Sequence, residues 1–236
     1  MSIYTALKIY DPEKKFHLML DRNGYLESCV YGKSVLHVGC SDWPITPDRL
    51  TDGTLLHLQL QRASRELVGI DLSEMGIAAL RTHGVSNVQV MDAETINLAK
   101  KFDVILAGDV LEHMNNPGRF LHRAVSLLGR DGEVIVGVPS ALTINNIKTW
   151  LGGGEQVHSD HTFYFSPKTL SALHERFGLL PVKLIFTVQP PGMYESKVFL
   201  NMRKALLKMN KAMAPSIIMH FKKTEEVEKS QYIEWT

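Results

Sequence analysis

Between Phe102 and Met114 the chain runs FDVILAGDVLEHM, and no other stretch restricts the fold as much. Phe102 to Leu106 is a nearly unbroken apolar run, too short for an independent helix and carrying the Val and Ile that suit a strand covered on both faces. Strands of that kind belong to parallel sheets, whose neighbours are joined by helical crossovers. The run then turns polar at once, through Gly108, Asp109, Glu112 and His113. In an open α/β sheet, ligands bind beyond the carboxyl ends of the strands, so this cluster sits where a cofactor would.

The pattern repeats along the chain. Val35 to Val38 is a first core strand that runs into Gly39-Cys40-Ser41-Asp42-Trp43-Pro44. A glycine there lets backbone approach a ligand closely. Pro44, Pro47 and Asp52-Gly53 predict an extended loop, with the next helix delayed to about Thr54, whose hydroxyl would cap Leu55 to Ala63. Glu66 to Ile70 is a second strand, ending in Asp71, and Ser73 caps a helix that stops at Gly84. An acid at such a strand end either closes the turn or accepts hydrogen bonds from both hydroxyls of a ribose. Val88 to Met91 is a third strand, followed by Asp92-Ala93-Glu94. Asp71, Asp92 and Asp109 therefore end successive strands, a register that only the carboxyl edge of a parallel sheet collects.

Pro117 starts a helix whose Phe120, Leu121, Ala124, Val125 and Leu128 form an apolar face, and Gly129 to Gly132 is a turn into a strand from Glu133 to Val138. Strands alternating with helices in this way make the class α/β. Pro139 to Asp160 is irregular and contains Gly152-Gly153-Gly154. Ser166-Pro167 opens a helix through Leu170, Leu173 and Phe177 that Gly178 ends, and Leu180 to Val188 is a further strand. Phe199, Met202, Leu206, Met209 and Met213 are spaced as the buried seam of a helix that also carries Lys204, Lys208 and Lys211, and Ser216 to Phe221 is the last strand. The organisation expected is a helical appendage over residues 1–32, a catalytic domain over 33–223 and a mixed-charge tail over 224–236. Within the appendage, Asp11-Pro12 reads as a helix start, Phe16, Met19 and Leu20 as its buried stripe, and Asn23-Gly24 as a turn.

Composition narrows the function classes. A formal net charge of +1 leaves no basic excess of the kind a nucleic-acid binder carries. Cys29 and Cys40 form neither a disulfide framework nor a zinc spacing, and are read as free thiols. With no apolar stretch of membrane-spanning length and no signal-peptide pattern in Met1 to Tyr10, a cytoplasmic protein is expected.

With these positions placed, the chain resembles the class I S-adenosylmethionine-dependent methyltransferases, through VLHVGC, GID, MDAE, FDVILAGDVLEHMNNPGRFL and GEVIVGVPS at successive strands and HTFYFSPKTL before a later helix. Its look is similar to bacterial members that modify polysaccharides and sugars. The resemblance implies a Rossmann-like seven-stranded sheet of order 3-2-1-4-5-7-6 with the last strand antiparallel and helices on both faces. It also implies S-adenosylmethionine as cofactor, with Gly39, Cys40 and Ser41 beside its methionine part, Asp71 and Leu72 at the ribose, Asp92 and Ala93 at the adenine, and Asp109 near the amino-acid end. The chain departs from the usual first motif in having His37 where an acid is customary, and Ser41 and Trp43 where glycines are. His57, early in the following helix, is expected at the surface.

Methyl transfer from a sulfonium is an in-line displacement in which the protein mainly positions the acceptor and excludes water. A hydroxyl acceptor must also lose a proton, and His113 and His161, with Glu112 beside them, are the candidate catalytic residues. The acceptor expected is a sugar or other small-molecule hydroxyl. A divalent cation held by Asp109, Glu112, His113 and His161, on the argument that the first three share a helical face, is the alternative and not the expectation; it resembles the pattern of small-RNA 2′-O-methyltransferases and ubiquinone-pathway O-methyltransferases. Two rival classes remain. A nicotinamide-dependent oxidoreductase would need a Gly-x-Gly-x-x-Gly that is absent after Gly39, and a non-catalytic binding protein is suggested by the altered first motif.

Overall fold

The chain's computed structural model describes residues 17–19, 21–187, 205, 207 and 213–226. Its centre is one sheet built from β1 (His17–Met19), β2 (Ser34–Val38), β3 (Glu66–Asp71), β4 (Val88–Val90), β5 (Phe102–Gly108), β6 (Leu128–Pro139), β7 (Leu179–Thr187) and β8 (Ser216–Lys223). The spatial order is β1-β7-β8-β6-β5-β2-β3-β4. Strands β2 to β6 are parallel, while β8 runs against both β6 and β7. With β1 set aside, this is the expected seven-stranded order with its last strand antiparallel.

Alternation along the strands explains why their sequences show no polar face. Val104 and Leu106 of β5 join Val35, Ile135 and Ile218 on one side, against Leu26 and Val30 of α1 (Arg22–Val30) and Leu56 and Leu60 of α3 (Leu56–Ala63). Ile105 and Ala107 point the other way, to Leu36, Val38, Val134 and Val136 and to Phe120, Leu121 and Ala124 of α5 (Pro117–Leu127). Successive side chains leave a strand on opposite faces, and here both faces are covered, so Val104 to Ala107 are apolar without a break.

Several helix starts are where the sequence puts them. Ser73 accepts the Gly76 N–H to begin α4 (Glu74–Thr82), Asn116 caps α5 at Pro117, and Ser166 with Thr169 makes a reciprocal capping box for α7 (Pro167–Glu175). Other boundaries differ. Asn23-Gly24 is not a turn but the first turn of α1, because Asp21 caps it through the Gly24 N–H at 2.9 Å. Met19, expected on a helical stripe, lies in β1, which pairs in parallel with Ile185, Phe186 and Thr187; Phe16 and Leu20 fall outside the described residues. The loop after β2 holds a short helix, α2 (Thr46–Thr51), with Pro47 in its first turn, and Thr54 caps nothing, its hydroxyl donating to Asp52 instead. Gly129 to Gly132 is part of β6, with Asp131 at φ 58° absorbing the bend, and the irregular region includes α6 (Ile144–Leu151). In β7 the pairing with β8 slips between Pro181 and Lys183. Of the lysine-bearing helix, only Ala205, Leu207 and Met213 fall among the described residues; the first two are helical, and Leu207 is buried in the core. No helix among the described residues is long and apolar enough to cross a membrane.

One buried polar network fastens α1 to the sheet. Glu133 accepts from Lys33 Nζ at 3.0 Å and pairs with His220 Nδ1 at 2.8 Å, while His220 Nε2 meets the Tyr25 hydroxyl at 2.8 Å. Burial pushes the Glu133 carboxyl up, but the bond and charge of His220 together with Lys33 outweigh it and hold the group at about 2. A depressed carboxylate stabilises the fold above its unfolded value and loses that contribution as pH falls toward its folded one. Glu133→Gln is accordingly expected to lower unfolding stability by about 2 kcal/mol near neutrality, the scale of a charged hydrogen bond. The gap from the parent protein should close in denaturant titrations as acid reaches the range between about 4 and about 2. A gap independent of pH would assign the loss to packing.

Candidate active site

The strand order reverses between β2 and β5, and a cavity of about 640 Å³ opens there, beyond the carboxyl ends of β2 to β5. Its floor is Val38 and Gly39 from β2 and its exit, and Gly108 and Asp109 from the end of β5. Gly39 has φ 74°, and a β-carbon there would lie 2.3 Å from Val110 Cγ2, so glycine is required for both reasons. Asp71, Leu72, Asp92, Ala93 and Asp109 all line this one cavity, which brings together acids from three separate crossovers.

Asp71 is anchored before any ligand arrives. Its Oδ2 accepts the Ser41 N–H and its Oδ1 the Ser73 N–H, each at 2.9 Å, so it ties the loop after β2 to the cap of α4. Asp92 Oδ1 likewise accepts the Glu94 N–H at 2.8 Å, beside the buried Ala93. Cys40 and Ser41 do not line the large cavity: Cys40 is buried against α3 and α4 and borders only a smaller space behind Gly39, and the Ser41 side chain is enclosed. Burial raises the Cys40 thiol well above its ordinary value, which keeps it unreactive.

Beside this cavity stand the candidate catalytic residues, of which His113 lines it and Glu112 and His161 do not. A single 3₁₀ turn, Leu111–His113, follows β5, and the segment before α7 folds back onto it: Thr162 donates its N–H to the Glu112 carbonyl at 2.8 Å and its hydroxyl to the Met114 carbonyl at 2.9 Å. That clasp sets the His113 and His161 rings edge to face with centroids 4.6 Å apart. His158 completes the group, 5.1 Å from His161 and 6.1 Å from His113. Glu112 lies beneath them, 1% exposed, and neither carboxylate oxygen has a hydrogen-bond partner among the described residues. Burial, with the nearby Asp109 charge, pushes its carboxyl up to about 8. Burial and then the neighbouring His113 and His158 hold His161 below the ordinary histidine value, so its ring is the free base near neutrality.

Glu112, His113 and His161 each present a ligand atom, all within 4.8 Å of one another. Asp109 is not part of that set. It adopts φ 56° instead of continuing a helix, and its carboxylate pairs with Arg22 Nη2 at 2.8 Å. His57, expected at the surface, is fully buried, its Nδ1 lying 3.1 Å from Nδ1 of His37 with the rings stacked. Burial first and then the partner's charge keep His37 well below the ordinary value, and burial takes His57 to about 4. The pair is neutral. Trp43, Pro44 and Ile45 also line the cavity, and neither they nor Arg22 and His158 were assigned a role from sequence. Only His158 carried a signal, through its spacing of one helical turn from His161.

Comparison with known proteins follows from this geometry. A family profile described as a methyltransferase domain matches residues 14–184. A ubiquinone biosynthesis O-methyltransferase of Idiomarina loihiensis is 26% identical over 187 residues, covering 73% of this chain and 69% of that protein. A protein of the same description from Rhodopseudomonas palustris is 30% identical over 121 residues, covering 49% of this chain and 44% of that one, so the match spans less than half of that relative. Among solved structures, a SAM dependent methyltransferase from Archaeoglobus fulgidus superposes with TM-score 0.56 at 16% identity, over 85% of this chain and 94% of that one. The N-methyltransferase NodS of Bradyrhizobium japonicum, in complex with S-adenosyl-L-homocysteine, does so with TM-score 0.52 at 17% identity, over 86% and 84%. At these identities the structures establish the fold.

Proposed function

This chain belongs to the S-adenosylmethionine-dependent methyltransferase family, and on that premise we propose that it methylates a hydroxyl of a small-molecule acceptor, with His113 and His161 managing the hydroxyl proton. The observation that supports this most is the histidine pair over the enclosed Glu112 beside the cavity. Bound in this cavity, S-adenosylmethionine would supply an electrophilic methyl group, the new C–O bond replacing the C–S bond whose electron pair stays on sulfur. Asp71 takes the ribose diol, Asp92 and Ala93 the adenine, and Asp109 the amino-acid end. His161, held as the free base, accepts the proton that the acceptor oxygen sheds, and His113 orients it.

A second reading is favoured by one observation. A buried carboxylate whose oxygens are both unpaired among the described residues, beside two imidazoles within 4.8 Å, is a donor set suited to a divalent ion such as Mn²⁺. Glu112, His113 and His161 would hold it, and it would act as a Lewis acid that eases deprotonation of the hydroxyl. Labelled methyl donor incubated with a panel of sugars and phenols, with and without chelator, tests both. The relatives' names direct attention to phenolic hydroxyls of the kind quinone precursors carry, and the sequence to sugars. Turnover that survives chelation is the result expected from the histidine reading. Loss that Mn²⁺ or Mg²⁺ restores would transfer the role to the cation, and amine-only methylation would overturn both.

A further inference from the structure

Two open depressions lie beside the donor cavity and meet at Asn116, Gly118 and Phe177. The first, of about 410 Å³, runs between the start of α5 and α7 and shares Asn115 with the cavity. The second, of about 360 Å³, reaches along α5 to Arg123 and shares Glu94 with it. Both histidine segments run into the first: Asn115 stands two residues beyond His113 and Phe163 two beyond His161, and the Thr162 clasp holds the segments together. A ligand lying there reaches the histidines with one end.

The lining is cationic on one side and aromatic on the other. Arg176 borders the first depression, and Arg119, His122 and Arg123 the second, all of them exposed. Among the described residues the acid lining them is Glu94, whose Oε1 already accepts the Asn116 N–H at 2.8 Å. The arginines in ion pairs among the described residues are Arg22, Arg49 and Arg65, none of them here. Arg119 and Arg123 are four apart on α5, a spacing at which like charges repel. An anion between them reverses that repulsion, and guanidiniums fork onto phosphate oxygens. On the aromatic side Phe163, 38% exposed, is set by stacking on the buried Phe165 with centroids 5.9 Å apart, and Leu173 and Phe177 continue the wall.

We infer that these depressions hold the nucleoside diphosphate of an acceptor whose attached sugar presents its hydroxyl to His113 and His161. This rests on the hydroxyl reading above and names the class of acceptor. A free sugar has no charge for three guanidiniums to meet, and a lone phosphate offers nothing to the aromatic wall. A nucleoside diphosphate brings two anionic groups and a flat base that stacks on a ring. A nucleic acid has the same chemistry, but a net charge of +1 lacks the broad basic excess that a polyanion calls for.

The test is calorimetry on the whole chain, with and without saturating S-adenosylhomocysteine, using uridine and guanosine diphosphates, their nucleosides, inorganic pyrophosphate and a uridine oligonucleotide. At least one diphosphate should bind in both conditions, and more tightly than its nucleoside or pyrophosphate. Arg176→Gln and the double variant Arg119→Gln/Arg123→Gln should each weaken it about 10-fold, as loss of a charged hydrogen bond does. Phe163→Ala should weaken the diphosphate and leave pyrophosphate unchanged. These side chains are exposed, so an unchanged melting temperature is expected in every variant. No binding of either diphosphate, pyrophosphate binding as tightly, indifference to all the variants, displacement by S-adenosylhomocysteine, or preference for the oligonucleotide overturns the inference. Each of these leaves hydroxyl methylation standing, because transfer from labelled donor tests that separately. Absence of transfer to any hydroxyl removes that reading, and the acceptor assignment with it.

Discussion

Turnover of the His161→Ala enzyme is expected to fall by about 10²- to 10⁴-fold, the usual range for a general base, while S-adenosylhomocysteine affinity stays within about threefold of the parent value. The split between the two measurements follows from position: His161 meets the His113 ring but does not itself line the cavity, whereas Asp71 and Asp92 do. Burial and two neighbouring imidazoles hold His161 below the ordinary histidine value. A base must be unprotonated to act, so the acid limb of the rate profile should fall below that ordinary value and vanish in the variant. Full activity in both His161→Ala and His113→Ala would remove the pair from the reaction. A parallel loss of donor affinity would show instead that the clasp through Thr162, not the imidazole, had been damaged.

Asp71→Asn should weaken S-adenosylhomocysteine by about 1.5 to 3 kcal/mol, or roughly 10- to 150-fold. Asparagine keeps the size and one acceptor, so the ties to the Ser41 and Ser73 N–H groups survive in part. What disappears is the charge that makes a ribose diol a strong donor pair to this position. Alanine removes both ties as well and should lower thermal stability in addition, which is why asparagine isolates the ligand contact. Unchanged affinity in asparagine and alanine alike would contradict the ribose role.

The parts of this protein that could be foreseen are those with a local cause. β5 declared itself because four consecutive apolar residues, Val104 to Ala107, are buried on alternating sides, and Asp71, Asp92 and Asp109 could be placed on one edge because a parallel sheet has only one carboxyl edge. The cap at Ser73 and the helix starts at Pro117 and Ser166-Pro167 likewise depend on residues within one turn. The misplacements have local causes too. Pro47 reads as part of an extended loop, although proline suits the first turn of a helix, which is how α2 begins. Asn23-Gly24 reads as a turn because the cap that overrides it, Asp21, precedes the pair. What no local pattern encodes is long-range pairing: Arg22 with Asp109, and His37 with His57, follow from where α1 and α3 cross the sheet. His57 reads as surface because histidine usually is; only its partner justifies burying it.

The ends of the sheet bear on how copies of this protein behave together. A long, flat rim strand is an open template to which another molecule's backbone can add. At one end the rim is β4, three residues long. At the other, β1 is equally short and covers Ile185 to Thr187, while the remainder of β7 carries Pro181, which has no N–H to offer, then a slip in register, then Lys183. Among the described residues neither rim therefore provides a continuous ladder of free amides, and an unwanted fibre-like addition of one sheet to the next is discouraged there by backbone chemistry alone.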